Sequence, residues 1–367
     1  MVNRRQIMEA VFDGRAVDRL PVSIRLDLWN ADLVSSGSEP EAIKGLSAPQ
    51  VEDYLGFSRA ARYRTNPTLV FEGIPVERSE EGGMLREKLC FPEKVLSTAT
   101  YRGEELARRG MDGHVVEYLL RGEEDYTVLL AHMDEALLRL DLAGFAAFDR
   151  ETGETGLPLL ISGACPAHSL MIQLTGYQNF YYHAMDFPQT VDRLIGEIER
   201  IYRRDLWPAF AETNARIILH GTHFSSQMTP VPVFEKYFLP YFREFNALMH
   251  GHGKKVLCHA DAEMGMLLEQ VEEAGFDGTD CLVTHPLVEQ RIEDYFAAWG
   301  GRIVCWGGLP SIIFDPTFPL EEYKEYIRRL VDITRKRGDF IFGTGDNVMP
   351  GAEWERLTFL AEQTGCR

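Results

Sequence analysis

Residues 254–263 read KKVLCHADAE, an apolar strand pattern that ends on His259, Ala260 and Asp261. A second such run, DFIFGTGDN at 339–347, ends on Asp346. On an extended strand, residues i and i+2 point to the same side, so His259 and Asp261 can converge on one ion. Asp346, from another strand, completes three protein ligands and leaves one position open for substrate or water, the pattern of a catalytic zinc site. A plainer reading fits the same residues, with His259 a hydrogen-bonded core histidine and Asp261 a cap for the helix pattern EMGMLLEQ.

HGTHF at 220–224 places His220 and His223 at another strand end, where they could bind metal, orient a substrate oxygen or shuttle a proton. We expect His223 in the pocket as a catalytic group beside His259. His220 is a candidate substrate contact, with a place in the core as its alternative. Arg25, after the first apolar run, is a candidate partner for an acidic substituent of the substrate. Tyr177 opens the aromatic run YQNFYYHAMDF and could floor a site for a planar ligand, though such runs also serve as helix packing. Cys165 in SGACPAH has no assignable base or oxyanion nest and reads as a packed loop residue. Cys281 and Cys305 lie inside strand patterns and read as buried hydrophobes. Cys258 is expected to face away from His259, into a helix layer.

These groups need a scaffold that gathers strand ends at one rim. Eight apolar runs read as strands: 20–26, 58–64, 157–163, 215–221, 254–260, 276–283, 302–308 and 339–345, with helical patterns between most of them. Short strand–helix–strand connections predict parallel strands with right-handed crossovers. Eight such units over this length favour an α/β fold of the (β/α)8 TIM-barrel type, one domain over 1–367, with its chemistry at the carboxyl ends of the strands. No GxGxxG follows an early strand, which weakens a dinucleotide-binding alternative. Residues 66–121 alternate apolar and polar around Gly82-Gly83 and read as a β-hairpin insertion, a lid or a contact for a homodimer.

The chain has 367 residues, 45% of them hydrophobic, ample for a large core. Its net charge of -18, with no Lys/Arg block, disfavours nucleic acid and anionic membranes as partners. No apolar run approaches a membrane span. The N-terminal MVNRRQIMEAVFDG is an amphipathic helix pattern rather than a signal peptide. Six cysteines without a CxxC pair fit reduced thiols, so a cytoplasmic location is expected.

The order of these landmarks resembles the uroporphyrinogen decarboxylase superfamily along nearly the full chain. RRQIMEAVFDGRAVDRLPV looks like that family's first helix and its Asp-Arg-x-Pro entry into the first strand. ISGACPAHSLMIQLTGYQNF, FEKYFLPYFREFNALMHGHGKKVLCHADAE, RIVCWGGLPS and FIFGTGDNVMPGAEWERL look like its later strand ends, in the same order. The decarboxylase proper has a Met-Arg-Gln-Ala-Gly-Arg-Tyr loop for its substrate's carboxylates. Here IRLDLWNA keeps only Arg25, no Ser-Asp-Ile follows the second run, and the rim offers few cations.

The corrinoid-dependent methyltransferase branch is the closer match. It binds zinc through His-x-Cys and a distant Cys. His259 stands at the family's His, while Asp261 and Asp346 replace its two cysteines. Carboxylate for thiolate hardens the site and suits it to polarising an ether or alcohol oxygen. The resemblance thus implies a methyltransferase of the O-demethylase kind. It would take a methyl group from a small O-methyl donor, such as a methoxylated aromatic, to the cobalamin of a separate corrinoid protein. Zinc or another divalent metal on His259, Asp261 and Asp346 would hold the departing oxygen. The alternatives are a decarboxylase of a smaller acid and a non-catalytic binding barrel.

Overall fold

Seven of the eight apolar runs form one parallel sheet: β1 (Arg62–Arg64), β2 (Leu159–Gly163), β3 (Ile217–His220), β4 (Lys255–His259), β5 (Gly278–Leu282), β6 (Val304–Leu309) and β7 (Phe340–Thr344), hydrogen-bonded in that order. The computed structural model describes residues 2–367 apart from Ala16, Asp18 and residues 105–112. Asp18, in the expected Asp-Arg-x-Pro entry, therefore lies outside the described residues. The expected domain over 1–367 divides into two compact units. The first joins Met1–Arg64, Leu142–Ser162 and Asn214–Arg367, and contains the parallel sheet.

Alternation along these strands builds the core. Leu159 and Ile161, Ile217 and Leu219, Leu257, Val304 and Trp306, and Ile341 share one buried cluster with Met8, Val11 and Phe12 of the helix Arg4–Phe12. Each such side chain contributes about 1.5–3 kcal/mol by leaving water. His259 follows Leu257 by two residues and so continues its inward register at the carboxyl end of β4.

The 20–26 run differs from expectation. Val22 makes a single parallel bridge to Phe342 of β7, and its carbonyl accepts from Ser58 N–H at 2.7 Å, just ahead of β1. Residues 21–23 thus link the two edge regions of the seven-stranded sheet, giving a curled, TIM-barrel-like arrangement with a bridge where an eighth strand was expected. Pro21 has no N–H to donate, which keeps this segment from forming a full ladder.

The second unit comprises Thr65–Asp141 and Gly163–Thr213. Where the alternation predicts a hairpin over 66–121, the described residues form a four-stranded antiparallel sheet: Val76–Glu81, Met84–Cys90, Val95–Tyr101 and His114–Glu117. Gly82 and Gly83 make the two-residue turn between the first two strands, both at positive φ, as a type I′ connection requires. Thr68–Phe71 pairs instead with Ala136–Arg139. Residues 105–112 of the expected insertion lie outside the described residues. No helix among the described residues is long and apolar enough to cross a membrane.

Candidate metal centre

The centre is built at the carboxyl ends of β3, β4, β5 and β7, all in the first unit. Backbone hydrogen bonds stitch the loop after β3 to the end of β4. His259 N–H donates to Gly221 O at 3.0 Å, and Phe224 N–H donates to His259 O at 3.3 Å. This loop carries His223, held at φ 53°. The ring of His223 lies 5.8 Å from that of His259, and its Nδ1 is 2.8 Å from Asp261 Oδ2. His259 Nε2 faces the same carboxylate oxygen at 3.4 Å. The i, i+2 expectation for His259 and Asp261 therefore matches the observed geometry.

The other ring nitrogen of His259 is committed elsewhere. Nδ1 lies 3.0 Å from Asp280 Oδ2, and Asp280 is fully buried on β5. Asp280 in turn holds Arg62 of β1 through both carboxylate oxygens, Arg62 Nη1 donating at 2.7 Å. A carboxylate on the far nitrogen of an imidazole is how metal-binding histidines are oriented. It leaves Nε2 facing the open side of the centre.

Asp280 and its neighbour Cys281 both meet Arg62, although neighbours on a regular strand point to opposite faces. The β5–β6 ladder slips between Thr279 and Leu282, and Cys281 takes φ 59°. Gly307 makes the close approach opposite the slip possible, since a Cβ there would sit 2.3 Å from Leu282 O. Asn66, His223 and Cys281 are the described non-glycine residues at positive φ, and two of the three belong to this centre. Each such residue costs on the order of 1–3 kcal/mol.

Charge follows the geometry. Burial opposes protonation of His259, but the Cys281 sulfur and the hydrogen bonds to Asp261 and Asp280 outweigh it, so its pKa lies well above the ordinary imidazole value. Burial pushes up the Asp261 carboxyl, and hydrogen bonds from His223 and His259 bring it well below the carboxylate range. Burial likewise works against charge on Asp280, and the Arg62 guanidinium and the His259 hydrogen bond hold it low. Burial, and then Asp280, raise the Cys281 thiol.

The three expected ligands are not one ready set. Donor atoms of His223, His259 and Asp261 lie within 4.8 Å of one another, and so do those of His259, Cys281 and Asp346. His259 belongs to both groups. Asp346 Oδ1 accepts from Arg25 Nη1 at 2.5 Å. An imidazole with an oriented far nitrogen, surrounded by carboxylates and a thiol, fits a divalent cation.

Of the expected substrate contacts, His220 lies in the core of the first unit and Tyr177 belongs to the second. His220 is fully buried, its Nδ1 bonded to Ser162 Oγ and its Nε2 lying 2.8 Å from Tyr241 Oη, with Phe242 and Phe245 against the ring. Both ring nitrogens being committed, it is a wall residue. Tyr177 opens a helix of the second unit, its ring 6.5 Å from that of His168. Cys165 is buried in that unit, where burial pushes its thiol up to about 12, so it holds its proton at neutral pH.

Arg25 also lines a cleft of about 310 Å³ with Arg59, Arg62, Arg64, Glu52 and Phe148. Four arginines here correct the expectation of a rim with few cations. The buried Nε atoms of Arg25, Arg59 and Arg62 have no hydrogen-bond partner among the described residues, and such unmet donors suit an oxyanion. Burial, and then the neighbouring Asp27 charge, raise the Glu52 carboxyl to about 8. The folded state therefore holds a proton on Glu52 that the unfolded chain releases near pH 4.5, and stability is lost as pH climbs from there through about 8. Glu52→Gln is expected to match the wild type near pH 5 and to exceed it by roughly 3–5 kcal/mol near pH 9. Denaturant titrations at the two pH values check this, and parallel pH curves for the two proteins would contradict it.

No family model matches the chain, and no curated protein matches it. Among solved structures, a methyltransferase from Methanosarcina mazei is similar over 100% of this chain and 99% of its own, with 11% identity and a TM-score of 0.59. A spore cortex-lytic enzyme of Bacillus megaterium aligns over 62% of this chain and 64% of its own, with 10% identity and a TM-score of only 0.36. At such identities the likeness to the methyltransferase concerns the fold.

Proposed function

We propose that this protein transfers a methyl group from a small O-methyl donor to the cobalt of a corrinoid carried by a separate protein, with a divalent metal, zinc or another, at His259. The observation that carries this reading is the oriented imidazole: His259, fixed by buried Asp280 and Arg62, opens between Asp261 and Asp346 at the carboxyl ends of a parallel sheet. The fold shared with the methyltransferase supports it. When bound, the metal supplies Lewis acidity to the departing oxygen.

The chain's own groups divide the remaining work. His223, exposed and hydrogen-bonded to Asp261, gives a hydrogen bond or a proton to that oxygen. Arg25 and its neighbours in the arginine cleft hold an acidic substituent of the donor. The Asp280–Arg62 pair keeps His259 in one tautomer and one orientation. The test mixes metal-loaded protein, Co(I) corrinoid protein and a panel of methoxyarenes, with and without a ring carboxylate. Formation of methyl-Co(III) and the demethylated phenol is expected. No spectral change with any donor would sink the reading.

A partner must reach this mouth. Met228, Met266, Leu287, Ile312 and Met349 are exposed, one on the loop after each of β3 to β7. Met266, at 72% exposure, and Leu287 are the anchors we assign to docking. Met266→Glu with Leu287→Glu is expected to slow transfer to the protein-bound corrinoid about tenfold or more, as loss of a central apolar anchor does, while transfer to free Co(I) cobalamin is unchanged. Equal rates with both acceptors relative to wild type would contradict it.

The arginine cleft also favours a second reading, decarboxylation of a small acid. Carbon dioxide release without any corrinoid would select it.

A further inference from the structure

We infer that Cys281 is a metal ligand, forming with His259 and Asp346 a nitrogen–sulfur–oxygen set for a borderline-soft divalent cation such as zinc. The inference rests on the reading that a metal works at His259, and it names which side chains hold it. Donor atoms of these three residues lie within 4.8 Å of one another. Ligands around a tetrahedral zinc at its usual bond lengths stand roughly 3.3–3.8 Å apart, a spacing that this limit admits.

The backbone argues in the same direction. A cysteine that only fills a core needs no special conformation and is inert. Cys281 instead sits at φ 59°, beside a slipped ladder, and its sulfur lies 3.5 Å from Arg62 Nη2 and 3.9 Å from Asp346 O. Without that conformation, strand alternation would separate its side from that of Asp280. The strained backbone therefore delivers a sulfur to the group that Asp280 orients.

Chemistry supplies the third argument. The strand-end pattern His259-Ala260-Asp261, with Asp346 beyond, offers only nitrogen and oxygen. One thiolate from β5 softens that set toward zinc and away from magnesium or calcium, which prefer all-oxygen sites. Asp261 is the less suited ligand, because both of its oxygens lie within 3.0 Å of His223 Nδ1, whereas Arg25 bonds Asp346 through Oδ1. Binding displaces two protons: the thiol hydrogen of Cys281 and the proton on the His259 nitrogen that takes the cation both leave to solvent, and the freed lone pairs form the new bonds.

The test uses Co²⁺ alone and Zn²⁺ alone as probes of the full chain. Cobalt-loaded wild type is expected to show a thiolate-to-cobalt charge-transfer band in the near ultraviolet. Cys281→Ser, close in size, should lose the band and weaken zinc binding at least about 10–100-fold, the loss seen when even the outer partners of a metal site are removed. Asp261→Ala should keep the band. Cobalt bound by wild type without the band, or a band that survives Cys281→Ser, overturns the inference, and the wild-type spectrum alone decides it should the variant fail to fold. If methyl transfer proceeds undiminished in Cys281→Ser, the inference falls and the proposed function stands. If the band appears but no donor yields methyl-Co(III), the function falls and the ligand assignment stands.

Discussion

His259→Ala is expected to lower methyl transfer at least about 10²–10³-fold, the scale on which a group stabilising the departing charge acts, and to release the bound metal. His259 is common to both potential donor sets, so among the described residues neither set survives its loss. The fold should persist, because Asp280 keeps Arg62 as its partner when the imidazole is gone. Steady-state rates and metal stoichiometry after dialysis measure the effect. A variant within about tenfold of wild type in rate would mean that the leaving oxygen is not handled at this residue.

Changes at Asp280 should separate stability from chemistry. Asp280→Ala leaves the guanidinium of Arg62, 11% exposed, without its counter-charge, and breaking such a buried pair costs about 3–5 kcal/mol. Asp280→Asn keeps the shape but cannot hold the far nitrogen of His259 as a carboxylate does. It is expected to fold and to bind metal about 10–100-fold more weakly. Because the carboxyl of Asp280 is held below its ordinary value, its stabilising contribution is present above about pH 4 and is lost as pH falls through the folded value. The stability gap between wild type and Asp280→Asn, read by denaturant titration, should therefore close on acidification. A gap that widens below pH 4 would contradict the assignment.

Much of this centre was legible in the chain. The strand patterns at 255–259 and 340–344 give their own direction, and the i, i+2 rule aligns His259 with Asp261 correctly. The pairing of Arg25 with Asp346 was not foreseen, since 321 residues separate them and no local pattern joins them. Asp280 and Cys281 were hidden for a different reason. Alternation assigns consecutive residues to opposite faces, and only the slip against Gly307 and the positive φ of Cys281 bring both to one side. A buried Asp-Cys pair in the strand pattern FDGTDCLV was the available signal, because a carboxylate inside a strand needs a charged partner.

His220 takes the second of the two places weighed for it, the core. Its place at a strand end suggested a substrate contact, yet Ser162 and Tyr241 take both ring nitrogens within the wall. SRAARYR was read only as one of the eight strand runs, with no role given to its arginines. Only β1's place beside the centre turns Arg59, Arg62 and Arg64 into one face of a cleft. The run at 20–26 lost its ladder to Pro21, whose missing N–H was visible from the outset.

The measurement that bears most directly on this account is X-ray absorption at the edge of the metal in zinc-loaded protein, compared with His259→Ala. One zinc per chain is expected, with an imidazole nitrogen at about 2.0–2.1 Å; His259→Ala should no longer retain zinc stoichiometrically, and any zinc it keeps should lack that nitrogen. Zinc that fails to bind the wild type stoichiometrically, or whose imidazole signal is unchanged when residue 259 is alanine, would contradict the claim that a cation is gripped there.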